Sequence, residues 1–158
     1  MSITWHLCRA NEMIHGNEIH KMANVLGLEE VHGGYTMLMF SARIASGLPL
    51  RSIERVHKIV APRYREFSTL IITKQTLGRR RKKREPLSRT ESERLARIAR
   101  VWSMAKDVYK DEDLARAFLS RPHQMLQGRV PLEVATETEY GADAVVEILG
   151  RLKYGSAA

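Results

Sequence analysis

Residues 88–109 read SRTESERLARIARVWSMAKDVY, and this stretch decides the fold. Ser88, Arg89, Thr90 and Glu91 open it with the S-x-x-E spacing of a capping box. In that motif the hydroxyl accepts from one free helix amide and the carboxylate reaches back to another. Behind the box, Leu95, Ile98, Ala99, Trp102, Ala105 and Tyr109 recur every three or four residues, which places them on one side of a helix. Glu93, Arg94, Arg97, Arg100 and Lys106 fall on the other side. The stretch predicts an amphipathic helix whose apolar side needs partners from the rest of the chain.

Those partners are expected to be short helices. Downstream, DEDLARAFLSRP sets Asp111 to Asp113 at the positive end of a helix, with Pro122 beyond its stop. VPLEVATET has Pro131 in a first turn, where its missing N–H is no loss. GADAVVEILGRLKYG predicts a closing helix with Val145, Val146, Leu149 and Leu152 inward and Gly155 past its end. Upstream, LPLRSIERVHKIVAP has Pro49 suited to a first helical turn and carries Ile53, Val56, Ile59 and Val60 as its apolar stripe. Near the N-terminus, NEIHKMANVLG reads as a helix capped by Asn17, with Ile19, Met22, Ala23 and Leu26 together and Gly27 as the stop. VHGGY is a turn. YTMLMFSARIASG predicts a helix with Leu38, Met39, Ala42 and Ala45 on one face and its methionines filling core. No convincing strand is found, so the fold class is all-α, with about eight short helices.

Composition narrows the function. The one cysteine, Cys8, allows no internal disulfide and no Cys-rich zinc site, and fits a reducing compartment. The densest apolar patch, MLMF at 37–40, is far below the roughly 18 residues of a membrane span. The N-terminus lacks the pattern of a secretion signal. A soluble, cytoplasmic protein without membrane contact is expected. HGG at 32–34 has no accompanying GxSxG turn, His15 and His20 lie outside any HExxH, and Cys8 with His6 lacks a third member. Glu137, Glu139 and Asp143 read as solvated charges at a helix start. The sequence thus carries no catalytic constellation, and no enzyme, cofactor or metal is expected.

The net charge of +8 is confined to residues 51–84, where twelve Lys/Arg face only Glu54 and Glu66. Such asymmetry marks a localised polyanion contact. The segment has the parts of a helix-turn-helix unit, whose second helix enters the major groove of DNA. PLRSIERVHKIV supplies a supporting helix, RYREFSTL the first motif helix, Ile71 and Ile72 the connector, and TKQTLGRRRKK the recognition helix. The candidate DNA-binding residues are Thr73, Lys74, Gln75, Thr76, Arg79, Arg80, Arg81, Lys82 and Lys83. Thr73 caps the helix, Gln75 suits adenine, Arg79 suits guanine, and the cationic tail to Arg84 grips phosphates. Gly78 inside this helix costs up to about 1 kcal/mol relative to alanine. Glu85 and Pro86 form a hinge into the capped helix.

From Ser46 to Gly155 the chain resembles the Xre/MbcA/ParS antitoxins. The resemblance is carried by LSRTESERLARIA (87–99), A..FLSRP (115–122), GRVPLE (128–133), TEYGADAV (138–145) and ILGRLKYG (148–155), with SGLPL (46–50) and TKQTLGRR (73–80) in the N-terminal part. It implies an Xre-type helix-turn-helix domain followed by a small C-terminal toxin-binding domain. It also implies a cognate RES-domain toxin that degrades NAD or transfers ADP-ribose, operator DNA of the chain's own promoter, and homodimerisation within a larger toxin–antitoxin assembly. The family's toxin-facing end falls on Arg151, Lys153, Tyr154 and Gly155. Residues 1–45 become an N-terminal extension, 46–86 the DNA-binding region, and 87–158 the toxin-binding and dimerisation domain. One departure is plain: the small residue and the glycine usual in the first motif helix and its turn are replaced near Phe67 and Ile71. The alternative is a stand-alone helix-turn-helix repressor with no toxin partner.

Overall fold

The computed structural model describes residues 17–29 and 31–155. Cys8, His6 and His15 lie outside the described residues. Within them the chain forms eight α-helices and no strand, apart from one isolated antiparallel bridge between His123 and Arg129. The helices are α1 (17–26), α2 (Met37–Ala45), α3 (Arg51–Val60), α4 (Lys74–Lys83), α5 (Arg89–Tyr109), α6 (Glu112–Ser120), α7 (Pro131–Glu137) and α8 (Glu139–Tyr154). Short 3-10 turns cover Phe67–Leu70 and Gln124–Leu126. None of these helices is long and apolar enough to cross a membrane.

Helix α5 is the axis of the molecule. Both halves of its capping box form: the Ser88 hydroxyl accepts from Glu91 N at 3.3 Å, and the Glu91 carboxylate accepts from Ser88 N at 2.6 Å. Leu95, Ile98, Ala99, Trp102 and Ala105 are fully buried, as their spacing predicts. Val101 is buried as well, on the flank that the spacing left polar. The reason is that α5 has neighbours on several sides: α2 and α3, and also α6, α7 and α8. Each large aliphatic side chain enclosed this way contributes roughly 1.5–3 kcal/mol. One continuous core results, running from Ile19 to Leu149.

Two glycines let backbones meet. Gly47 has φ +94°, and a Cβ there would lie 2.3 Å from the Leu87 carbonyl. Its bareness lets Leu48 reach the start of α5, where Leu87 N donates to Leu48 O and Leu48 N donates to the buried Ser92 hydroxyl, both at 2.9 Å. At Gly141 a Cβ would lie 2.1 Å from the Val134 carbonyl. Only a glycine permits the tight crossing of α7 and α8.

Three sequence expectations fail, each for a physical reason. In α2 the inward residues are Phe40 and Ile44, while Met37, Leu38 and Met39 are exposed. Thr36 caps the helix by accepting from Met39 N, and Tyr35 packs edge-on against Phe40. That fixes the helix phase and turns the first apolar turn outward. RYREFSTL yields only the four-residue 3-10 turn in place of a helix. There the Thr69 hydroxyl donates to Glu66 O at 2.7 Å, and the amides of Ile71 and Ile72 both turn back to Ser68 O. Such local bonds compete with a helix ladder. Phe67, Ile71 and Ile72 are nevertheless core residues. In α8, Val145 and Leu149 are buried, but Val146 is half-buried and Leu152 is 47% exposed. The helix outruns the core it packs on. Asn17, expected as the cap of α1, is itself helical.

Candidate nucleic-acid interface and partner-facing end

Helix α4 begins at the predicted cap: the Thr73 hydroxyl accepts from Thr76 N at 3.2 Å. It ends at Arg84, which adopts the left-handed conformation with φ 55°. No residue of α4 is buried. Packing therefore contributes little, and the helix depends on its cap and on a few long-range contacts.

The nine sequence-predicted residues do not share one setting. Gln75, Arg79 and Lys82 are exposed, and with Gly78 they form an i, i+3, i+4, i+7 strip on the outward face. Lys74 and Arg81 stand at the edge toward α3, over a cavity of about 370 Å³ lined by Ile53, His57 and Leu77. Each is set against a carboxylate: Arg81 pairs with Glu54 at 2.8 Å, and Lys74 lies 4.0 Å from Glu66. The only two acids of the basic segment are thus both spent on this edge. Arg80 is turned inward. Its side chain is 15% exposed, pairs with Glu91 at 3.2 Å and donates to Pro86 O at 2.7 Å. It joins α4 to the capping box of α5. Thr73 and Thr76 bond to each other through their hydroxyls at 2.9 Å. Lys83 is exposed and has no ion pair among the described residues.

Helix α8 is firmly held at its start and bare at its finish. Thr138 caps it, accepting from Gly141 N at 2.9 Å. Arg97 of α5, mostly buried, donates to Ala135 O at 3.0 Å and Thr136 O at 2.7 Å. It thereby satisfies carbonyls left free where α7 stops. Burial lowers its pKa, with Glu139 opposing the shift. Arg100 bridges Glu139 and Asp143 at 2.6 and 2.5 Å, and Arg129 pairs with Glu137. The three acids predicted as solvated charges stay exposed, and each carries an ion pair at this junction. Arg94, also predicted to face solvent, donates to Ile71 O. By contrast, residues 151–155 are all exposed. Arg151 pairs only with Glu147, one turn back, and Lys153 lies 5.4 Å from the Tyr154 ring. Tyr154 is 68% exposed, and Gly155 ends the helix by donating to Arg151 O.

One side-chain contact ties the α3–α4 connection to α7. The Tyr64 hydroxyl donates to Glu133 at 2.5 Å. That bond, with burial, pushes the phenol up to about 12.

An all-helical chain that displays a capped, solvent-facing cationic helix beside a second, exposed helix end has the architecture of a helix-turn-helix regulator. Residues 39–100 match the family described as the antitoxin Xre-like helix-turn-helix domain, and residues 104–155 match the antitoxin Xre/MbcA/ParS C-terminal toxin-binding domain. A relative from Yersinia enterocolitica, antitoxin Xre, is 32% identical over 132 residues, 82% of this chain and 86% of that protein. Antitoxin Xre of Pseudomonas putida is 34% identical over 85 residues, 54% of this chain and 53% of that one. Antitoxin Xre of Photorhabdus laumondii is 39% identical over 66 residues, 41% of this chain and 44% of that one. The chain therefore spans about half the length of two of these relatives and most of the third. It belongs to the Xre-type antitoxin family, whose members are regulators and not enzymes.

Proposed function

We propose that this chain neutralises a RES-domain toxin by placing the end of α8 in the toxin's active-site cleft, and that it represses its own promoter through α4. The observation that carries the reading is the exposure of residues 151–155 at the end of a helix whose first turns are tightly fixed. A rigid helix with a bare tip inserts without ordering a loose tail, which lowers the entropic cost of binding. Arg151 and Lys153 match a cleft built for the phosphates of NAD, and Tyr154 offers a ring where a nucleotide base or ribose would lie. Leu152 extends the apolar stripe of α8 past the core and supplies a contact for the partner's own apolar groups.

The division of labour follows the charge. Residues 46–86 bind DNA, residues 87–158 bind toxin and pair with a second copy, and residues 1–45 extend the N-terminal part. Dimerisation suits a helix-turn-helix reader, because two copies on a two-fold axis read two half-sites. The site of action is the cytoplasm, where the promoter is. Co-expression with the neighbouring reading frame tests the module. The neighbour alone should arrest growth, and this chain should restore growth and co-purify with it. A harmless neighbour, or one that never co-purifies, leaves only a stand-alone repressor.

A further inference from the structure

Gly78 lies in the middle of α4, although glycine is the poorest helix former after proline. Nothing in the fold requires it there. The helix runs unbroken from Lys74 to Lys83, Gly78 has no positive φ, and a Cβ built on it meets nothing within 4 Å. Its position gives another reason. Gly78 lies midway along the outward strip that Gln75, Arg79 and Lys82 complete, on the flank that borders the cavity toward α3. Leu77 and Arg80 point away from that strip toward the fold, and Glu54 and Glu66 hold the edge cations Arg81 and Lys74. The strip is left uncommitted among the described residues, with hydrogen-bond donors at both ends and bare backbone between them.

A helix with its side chains is about 10–12 Å across, and the major groove is about 12 Å wide. A side chain midway along the inserted face therefore limits how deep the helix can go. Gln75 and Arg79 are four residues apart, about 6 Å along the axis, close to two base-pair steps. Both are long enough to reach base edges only if the backbone between them comes close.

We propose that Gly78 is the point of closest approach of α4 to operator DNA, its missing side chain letting Gln75 and Arg79 read an adenine and a guanine about two steps apart. This rests on the DNA-binding reading above and adds the residue that sets the depth of insertion. It differs from a purely structural role because stability and recognition should move in opposite directions.

The test uses the full-length chain and its variants Gly78→Ala, Gly78→Leu and Arg79→Ala. Binding to a duplex from its own promoter and to an unrelated duplex of equal length is followed by fluorescence anisotropy at fixed salt, beside thermal melts. Gly78→Ala should melt about 2–4 °C higher and bind the promoter about tenfold more weakly, as expected when one methyl group is forced into a close-packed contact. Its affinity for the unrelated duplex should not change, and Gly78→Leu should lose more. Suppose the wild type prefers its promoter and Arg79→Ala weakens that preference, yet Gly78→Ala binds as tightly as the wild type. The closest-approach proposal is then wrong while the DNA-binding reading stands. If the wild type shows no preference for its promoter, the DNA-binding reading itself falls, and this proposal with it.

Discussion

Replacing Arg80 with alanine separates a cation that braces α4 from one proposed to touch DNA. Arg79 and Arg80 are neighbours in a run of six cations, yet their side chains point to different surroundings. Arg80 makes a charge-assisted bond to the Pro86 carbonyl at 2.7 Å and an ion pair with Glu91 at 3.2 Å, the two side chains being only 15% and 13% exposed. A hydrogen bond to a charged group is worth about 1.5–3 kcal/mol. Breaking a fully buried pair costs about 3–5 kcal/mol, but Glu91 would still accept from Ser88 N. The expected loss for Arg80→Ala is therefore about 2–3 kcal/mol, a fall of roughly 5–10 °C in melting temperature for a chain of this size. Arg79→Ala should leave the melt unchanged. Salt titrations of promoter binding give the complementary readout. Removing a phosphate or base contact lowers the slope of log K against log salt by about one; Arg79→Ala should show that change, and Arg80→Ala, measured where it is folded, should keep the wild-type slope. An Arg80→Ala protein that melts with the wild type and loses a unit of slope would refute the assignment.

Other outcomes follow from single contacts. Gly141→Ala forces a methyl group onto the Val134 carbonyl, 2.1 Å from the ideal Cβ position. It should cost at least about 1–3 kcal/mol by chemical denaturation, and a wild-type midpoint would show that α7 and α8 do not cross as closely as described. Ser88→Ala removes the cap of α5 and should cost about 1 kcal/mol, with no loss meaning that the box is not formed in solution. Tyr64 gives a pH signature. Its bond to Glu133 and its burial push it up to about 12, whereas an unfolded tyrosine ionises near 10. The unfolded chain sheds this proton first, so the contribution is complete below about pH 10 and is lost as pH rises through about 12. Tyr64→Phe should be less stable at neutral pH by about 1–2 kcal/mol and show a shallower alkaline decline; parallel alkaline limbs would count against the bond.

Much of the architecture was legible because its determinants are local. The capping box at Ser88, the Thr73 cap, Pro131 in a first turn and the spacing of Leu95, Ile98 and Trp102 all act within a few residues, and all are present. What failed was decided by contacts that the spacing of apolar residues does not show. Residues 37–40 are apolar throughout, so only the packing of Tyr35 on Phe40 selects the inward face. The turn at Phe67 depends on hydroxyl bonds that helix spacing does not reveal. The site shows the same division. Residue spacing places the cationic helix and the family resemblance points to the terminal RLKYG, but a run of like charges cannot say which arginine faces inward. Arg80, Arg94 and Arg97 serve carbonyls at Pro86, Ile71, Ala135 and Thr136, and those acceptors carry no signature in the sequence.

The most direct measurement follows NAD consumption by the proposed toxin partner in the presence of purified antitoxin ended before Arg151. Residues 151–155 are exposed and carry no core side chain, so the shortened chain should keep the full-length melting temperature and its promoter binding. It should leave the toxin active at concentrations where the full chain silences it. Full inhibition by the shortened chain would contradict the placement of the α8 end in the cleft.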